Sequence, residues 1–398
     1  MTAFGVFWGL LMLILLVGLG NGISNGITSS IRSLPTNSLF FGGGRTSISY
    51  RGFGRDRSIT LDDQDLQLLT THLGSRLRYL TPINFVGSKT ASYGEYSYDC
   101  SVVGTRPSYY HVVPTQMLYG RYLNDIDLHE RRKVCVIGRQ AYESLFPDGG
   151  DPCGKFLQVG GIYYTIVGVV KKLSEWVQIG HDIDRSLLLP LTTEQLAYKQ
   201  SNSIHISIVT LNDAYPIGRW KEHVIDIVRE HHFVHPDDKN AFWNIDLAEM
   251  VQNFQFLFLG INILLWIVGC GSLLAGLIGI SNIMLVTVKE RTQEIGIRRA
   301  LGARPRTIVM QILSESLVLT SMAGLAGLLA GVWILRLVGF VVSHSPSSEG
   351  AFRLEDPQIA FSVAIAATLV IITGGLLAGW MPARRALHIK AIEALREE

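Results

Sequence analysis

The sequence predicts a membrane protein, an α-helical four-span bundle with a large mixed α/β domain on the extracytoplasmic side between spans one and two. Three observations carry that reading. Four segments of span length hold almost no charge. A charged run of helix length, VTVKERTQEIGIRRALG at residues 286–302, is pinned between two of them. A stretch of globular composition at 25–250 separates the first two. Of the 398 residues 48% are hydrophobic and only 17% charged, against about 25% charged in a typical soluble domain. A net charge of +2 says nothing about nucleic acid, and with no basic stripe interleaved with aromatics none is expected as a partner.

A span needs about 20 mostly apolar residues to cross the hydrocarbon core. Residues 1–19 carry no charged side chain, and Arg32 is the first one met. They lack a basic lead-in and a cleavage site, so they read as an anchor rather than a signal peptide. The next uncharged stretch is bounded by Glu249 and Lys289, the third runs over 308–335 with Gln311 and Glu315 inside it, and the fourth over 359–381. Lys and Arg in short loops mark the cytoplasmic side. Lys289, Arg291, Arg298, Arg299, Arg304 and Arg306 lie between spans two and three, and Arg384, Arg385, Lys390 and Arg396 follow span four. The loop at 343–357 sets Glu349, Glu355 and Asp356 against Arg353. The chain then divides into span one (1–24), an outer domain with stalk helices (25–250), span two (251–286) and a cytoplasmic segment (287–306). Span three (307–338), a short outer loop (339–358), span four (359–381) and a cytoplasmic tail (382–398) complete it. No basic residue precedes span one, and a cytoplasmic lead-in missing ahead of Met1 is the expected reason.

In the outer domain, residues 41–57 with FGGGR and RGFGR read as a loop or hairpin tip. Short apolar or alternating runs at 134–138, 163–170 and 203–211 predict strands, and 61–80 and 218–231 predict helices. Beyond Asp246 the pattern turns helical and continues into span two. Cys100, Cys135 and Cys153 fall in this domain, an odd number that allows one disulfide in an oxidising compartment; Cys270 reads as a small packing residue in span two. No Cys/His spacing suggests a metal site. Residues 149–155 match half of a phosphate-binding loop, but Phe156 stands where Ser or Thr is needed and Pro152 removes a backbone donor. That segment reads as a turn between strands. His231, His232 and His235 cluster, and His181 lies near Asp182 and Asp184; a polar surface loop accounts for them. No catalytic residue is expected.

Small residues recur every fourth position in the spans: Gly271, Ala275 and Gly279, then Ala323, Gly327 and Gly331, then Gly375 and Gly379. Such stripes let helices approach closely in lipid and predict a tight bundle that includes a contact with a second copy. Glu315, the one acidic group inside a span, is expected near the cytoplasmic interface, within reach of headgroups or a hydrogen-bond partner. Residues 289–301 predict a short helix in which Glu294 pairs with Arg298 at i,i+4 and Arg291 with Glu294 at i,i+3. Gly302 and Pro305 stop it. Apolar Ile295, Ile297 and Leu301 interspersed among these charges suit docking into another protein's groove.

The run SNIMLVTVKERTQEIGIRRALGA at 281–303 resembles the signature of ABC-transporter permeases of the MacB/FtsX type, and PARRALHIKAIEALREE from Pro382 resembles their tail. Gly120-Arg121, KVCVIGRQAYESLF, PCGKFLQVGGIYYTIVGVV and LPLTTEQLAY are similar to the family's periplasmic core domain. The likeness extends over essentially the whole chain and is weakest at 30–110. It implies a bacterial inner-membrane permease that dimerises and binds an ABC ATPase subunit through Glu290, Arg291, Glu294, Arg298 and Arg299, with Leu301, Gly302 and Ala303 closing the element. It implies no cofactor on this chain, ATP and Mg on a separate ATPase, and ATP-driven motion relayed through spans one and two to the outer domain. Export through a periplasmic adaptor and outer-membrane channel is the expected task. Lipoprotein release of the LolC/LolE kind, regulation of a cell-wall hydrolase of the FtsX kind, and a membrane-anchored sensor are the alternatives.

Overall fold

Residues 2–32, 35–173, 180–198, 202–344 and 361–387 are described by the structure, a computed structural model. The expected outer loop at 339–358 and the cytoplasmic tail at 382–398 lie largely outside them. The chain divides into two compact units, Met1–Ile27 with Phe256–Glu398, and Thr28–Gln255.

The first helix is α1 (Thr2–Arg32). Strand β1 (Ser38–Gly43), α2 (Asp63–Leu73), β2 (Leu77–Tyr93), β3 (Tyr96–Thr105), α3 (Tyr109–Val112) and β4 (Thr115–Gly120) follow. Then come α4 (Asp125–His129), β5 (Val134–Gly138), α5 (Arg139–Leu145), β6 (Phe156–Val159), β7 (Ile162–Lys172), β8 (Ser186–Pro190), α6 (Leu191–Tyr198) and β9 (Ile206–Leu211). The last elements are α7 (Ile217–His231), β10 (Phe242–Asp246), α8 (Leu247–Glu290), α9 (Thr292–Ala300), α10 (Pro305–His344) and α11 (Phe361–Leu387).

All the strands of the α/β unit join one sheet in the order β10-β1-β9-β2-β3-β8-β5-β7-β4, with β6 bridging β2 and β7. Most neighbours are antiparallel; β3 with β8 and β5 with β7 are parallel. The strands expected at 134–138, 163–170 and 203–211 become β5, β7 and β9, and the helix expected at 218–231 becomes α7. The expected helix at 61–80 ends at Leu73, where its backbone turns into β2 with register Tyr79↔Thr210 against β9. Leu77 and Leu80 suit either state locally, and pairing with a strand far along the chain decides. The expected loop at 41–57 begins inside β1, because Phe41 is fully buried and its neighbours pair with both β9 and β10. Residues 149–155 form a turn between α5 and β6 rather than between two strands. At the β6–β7 hairpin, Gly160 and Gly161 both take positive φ, 56° and 86°, which is what a two-residue turn matched to strand twist requires.

Three apolar clusters fill this unit. One packs Leu66, Leu69 and Leu73 of α2 with Val224, Ile225 and Val228 of α7 onto β1 and β9. A second gathers Ile83, Val103, Tyr109, Leu188 and Leu247, and a third puts Tyr142 and Leu145 of α5 against Cys135, Ile166 and Leu187. Cys100, Cys135, Cys153 and Cys270 are all free thiols.

Among the described residues three helical segments are long and apolar enough to cross a membrane: Phe4–Ser24, Leu247–Glu290 and Pro305–Val341. The expected fourth span falls in α11, a helix of 27 residues. Glycine governs the packing. A Cβ on Gly5 would sit 3.1 Å from Gly276 Cα, and one on Gly327 would sit 2.6 Å from Phe7 O. Gly331 faces Ile14, Gly375 faces Thr320 and Gly379 faces Ser316. Ala323 is buried. Ser316 Oγ donates to Gly375 O at 2.9 Å, so α10 and α11 are joined by a hydrogen bond where their backbones come close.

The small-residue stripe read on span two does not pack inside this chain. Gly271 and Gly279 have no atom within 4 Å of a Cβ position, and Ala275 is exposed. Gly269 against Leu13, and Gly276 against Gly5, make the contact instead. Helix α8 carries small residues on more than one face, and period alone does not select the inward one.

Candidate functional site

The charged run between α8 and α10 forms a short, separately capped helix. Helix α8 ends at Glu290, and Arg291 leaves helical geometry with ψ 14°. Thr292 Oγ1 donates to Lys289 O at 2.6 Å, which satisfies a carbonyl left over at the break. Helix α9 then runs for nine residues and stops at a two-bond cap. Gly302 N–H donates to Arg299 O at 3.1 Å and Ala303 N–H to Arg298 O at 3.0 Å, the paired closure of a helix whose next residue is left-handed. Gly302 supplies that residue with φ 92°. Pro305 opens α10, where its missing N–H costs nothing.

Inward and outward faces of α9 differ. Ile295 is 9% exposed and packs with Val288, Ile308 and Ile312, which seats the helix on the ends of α8 and α10. The pairing Glu294–Arg298 forms as the spacing predicts. Arg298 Nη1 also donates to Gln311 Oε1 at 3.0 Å. Arg291 does not pair with Glu294. It reaches Glu315 Oε2 at 3.5 Å, because residue 291 lies outside the helix and i,i+3 geometry does not apply to it. Glu315 thus meets the hydrogen-bond partner expected of it, whereas sequence reasoning missed Gln311 as a strut from α10 to α9; its polarity at the start of a span was the available signal.

The outward face keeps apolar groups in the open. Leu301 is 83% exposed and Ile297 43% exposed, on a segment whose Glu290, Glu294 and Arg298 are exposed as well. Folding within the chain leaves these two side chains uncovered. Charge around an apolar centre, on a helix held at both ends, is the pattern of a docking face.

The other residues singled out from the sequence lie in the α/β unit. His231 and His232 both meet the carboxylate of Asp65, while His235 stacks edge-on against Tyr50. His181 is buried beside Tyr109, with Tyr109 Oη and His181 Nε2 3.1 Å apart. Asp182 holds Lys172 Nζ at 3.2 Å. Among the described residues no nucleophile–base pair arises from these groups.

Residues 1–222 match the family described as MacB-like periplasmic core domain, and residues 266–391 match the FtsX-like permease C-terminal family. The chain is 28% identical over 402 residues to the macrolide export ATP-binding/permease protein MacB of Rhodospirillum rubrum, covering 100% of this chain and 58% of that protein. It is 25% identical over 402 residues to the pyoverdine export ATP-binding/permease protein PvdT of Pseudomonas entomophila, covering 100% of this chain and 57% of that one. The chain thus spans less than three fifths of the length of these relatives. The crystal structure of the periplasmic region of MacB from Actinobacillus actinomycetemcomitans aligns with 20% identity and TM-score 0.46, over 56% of this chain and 95% of that one.

Proposed function

The chain belongs to the MacB/FtsX-type family of ABC-transporter permeases, and from that premise we propose that it is a four-span, inner-membrane permease subunit that turns ATP-driven motion into movement of its periplasmic domain. A cytoplasmic ABC ATPase, carrying ATP and Mg, grips the α9 segment through Glu290, Arg291, Glu294, Arg298, Arg299 and Leu301. Gly302 and Ala303 close the element that it grips. The motion passes along α1 and α8. A second permease copy packs on the outward stripe Gly271, Ala275 and Gly279 of α8. Export with a periplasmic adaptor and an outer-membrane channel is the task favoured by the names of the relatives, which are export proteins.

The observation that carries this reading is Leu301, an 83% exposed leucine at the cap of a nine-residue charged helix. Removing such a side chain from water is worth about 2 kcal/mol, so a partner that covers it gains what folding leaves unused. Among the described residues of the helical unit the buried polar side chains are Ser316 and Thr320, and both hydroxyls donate to backbone carbonyls.

A cysteine at the exposed position tests the reading. L301C, in cells that carry the native transporter genes, is expected to cross-link to a nucleotide-binding domain, identified by mass spectrometry. Labelling of L301C from the periplasm by a membrane-impermeant thiol reagent, with no such adduct, overturns it.

A further inference from the structure

A cluster of metal-binding side chains in the α/β unit has no part in docking or motion transfer. It lies where the first turn of α2 meets the end of α7. Asp65 Oδ1 is 2.8 Å from His231 Nδ1, and Asp65 Oδ2 is 2.9 Å from His232 Nε2. The three donor atoms all lie within 4.8 Å of one another. Two imidazoles from adjacent residues thus converge on one carboxylate, brought together from positions 166 and 167 residues apart in the chain.

The three groups are differently held. Asp65 is 1% exposed, and Oδ2 also accepts the Asp62 N–H at 2.8 Å in a capping box at the start of α2. That bond fixes the carboxylate from behind, as an outer hydrogen bond fixes a metal ligand. The histidine side chains are 26% and 16% exposed, open enough for an ion and its water to enter. His232 sits at the C-cap of α7, and Phe233 at φ 50° turns the chain away immediately after it. Arg57 Nη2 donates to His232 O at 2.6 Å, holding the backbone that carries the second imidazole. Burial works to raise the Asp65 carboxyl, but the hydrogen bonds from His232, from the Asp62 N–H and from His231 outweigh it, and the net shift is downward. The carboxylate is therefore charged at neutral pH.

We propose that Asp65, His231 and His232 form a site for a divalent transition-metal ion, Zn2+ foremost, that staples α2 to α7. Two imidazoles and one carboxylate are the donor set that such ions prefer, whereas Mg2+ and Ca2+ take oxygen-rich sites. Zinc holds nitrogen and oxygen ligands at about 2.0–2.2 Å, which puts tetrahedral ligand edges at about 3.4 Å. The two hydrogen-bonded gaps need to open by about half an ångström, and the partly exposed imidazoles have room to do so. On binding, each neutral imidazole turns a lone pair to the ion and carries its one ring proton on the other nitrogen, which for His231 is Nε2, 3.1 Å from Gln64 Oε1. Water completes the coordination on the open side. The staple joins two helices that share one apolar cluster with β1 and β9, so the ion stabilises that half of the α/β unit. This proposal is independent of how α9 is used.

The test uses the full-length chain in detergent, free of affinity tags and stripped with a chelator. Calorimetric titration with ZnCl2 at about pH 7.5 is expected to show one saturable site per chain, and the thermal midpoint is expected to rise on binding. His232→Gln and His231→Ala should each weaken binding about tenfold or more, while His235→Ala, outside the trio, should leave it unchanged. Co2+ is expected to give the visible band of tetrahedral coordination in wild type and to lose it in His232→Gln. Circular dichroism of the metal-free variants separates ligand loss from unfolding. Absence of a saturable site in wild type, or equal affinity in folded His232→Gln and wild type, shows that the cluster is a hydrogen-bonded clamp only and overturns the proposal.

Discussion

Removing Glu294 and Arg298 together separates a docking role from a structural one, because the two roles differ in magnitude. Inside the chain the pair is cheap to lose. Both side chains are about half exposed, at 53% and 46%, and an i,i+4 pair on a solvated helix contributes about 0.3–0.5 kcal/mol. The Arg298–Gln311 bond adds about 1 kcal/mol at most. Alanine is the better helix former at both positions, which returns several tenths of that. Membrane insertion and fold should survive unchanged. At an interface, truncating one partner of a desolvated charge pair costs about 2–5 kcal/mol, or about thirtyfold to a few thousandfold in affinity. Glu294→Ala with Arg298→Ala should therefore abolish co-purification of the ATPase while the permease accumulates normally. Exchanging the two residues, Glu294→Arg with Arg298→Glu, preserves the pair within α9 and should fail in the same way. ATPase affinity within about threefold of wild type for either variant, in correctly inserted protein, would refute the reasoning.

Four further outcomes follow from packing and charge. Glu194 is fully buried on α6, accepts a hydrogen bond from Asn84 Nδ2 at 3.0 Å, and has its carboxyl pushed up to about 7 by burial. A folded-state value above the unfolded one means the native state holds the proton more tightly. Stability of the α/β unit then falls as pH rises from about 4.5 to about 7, by of order 3 kcal/mol. Glu194→Gln should flatten that slope in pulse proteolysis of the full chain and stabilise the domain at alkaline pH; an unchanged slope contradicts the assignment. Gly379→Leu, where a Cβ already meets Ser316 Cβ at 2.9 Å, should part α10 from α11 and lower the thermal midpoint. Gly271→Leu, facing open space, should spare the monomer and weaken dimerisation in a cross-linking assay. Asp127 is fully buried, bonded to Arg121 at 2.6 and 3.1 Å and to the Asn124 N–H at 3.1 Å. Asp127→Ala should cost about 2–4 kcal/mol, nearer the lower end because Arg121 is 43% exposed and water can take over its guanidinium. A loss below about 1 kcal/mol by denaturant titration would show that the pair is solvent-screened.

Local chemistry wrote some of this protein into its sequence. Charge cannot enter hydrocarbon without a large cost, so the uncharged windows and the basic segment between them were legible from composition. Of the short helix expected at 289–301, the stop at Gly302 was legible too, since capping acts within a few residues, but its start was not, because Lys289 and Glu290 continue α8 and α9 begins at Thr292. The Glu294–Arg298 pair is one helical turn long and needed no fold. Strands β5, β7 and β9 stood out because their apolar residues alternate or run unbroken between turn signals.

Only the tertiary structure decided the rest, and each instance depends on distance along the chain. Residues 77–80 became strand because β9, more than a hundred residues later, offered them hydrogen bonds. Arg291 found Glu315 on another helix instead of Glu294 on its own. Period-four small residues were visible on α8, but which face turns inward depends on where α1 lies, and Gly276 rather than Gly279 met it. His231 and His232 looked like a polar loop until folding set Asp65 between them. Sequence determines what a residue prefers within a turn or two; long-range packing determines which of several equally good local partners it meets, because the apolar area buried by the whole fold outweighs any single local choice.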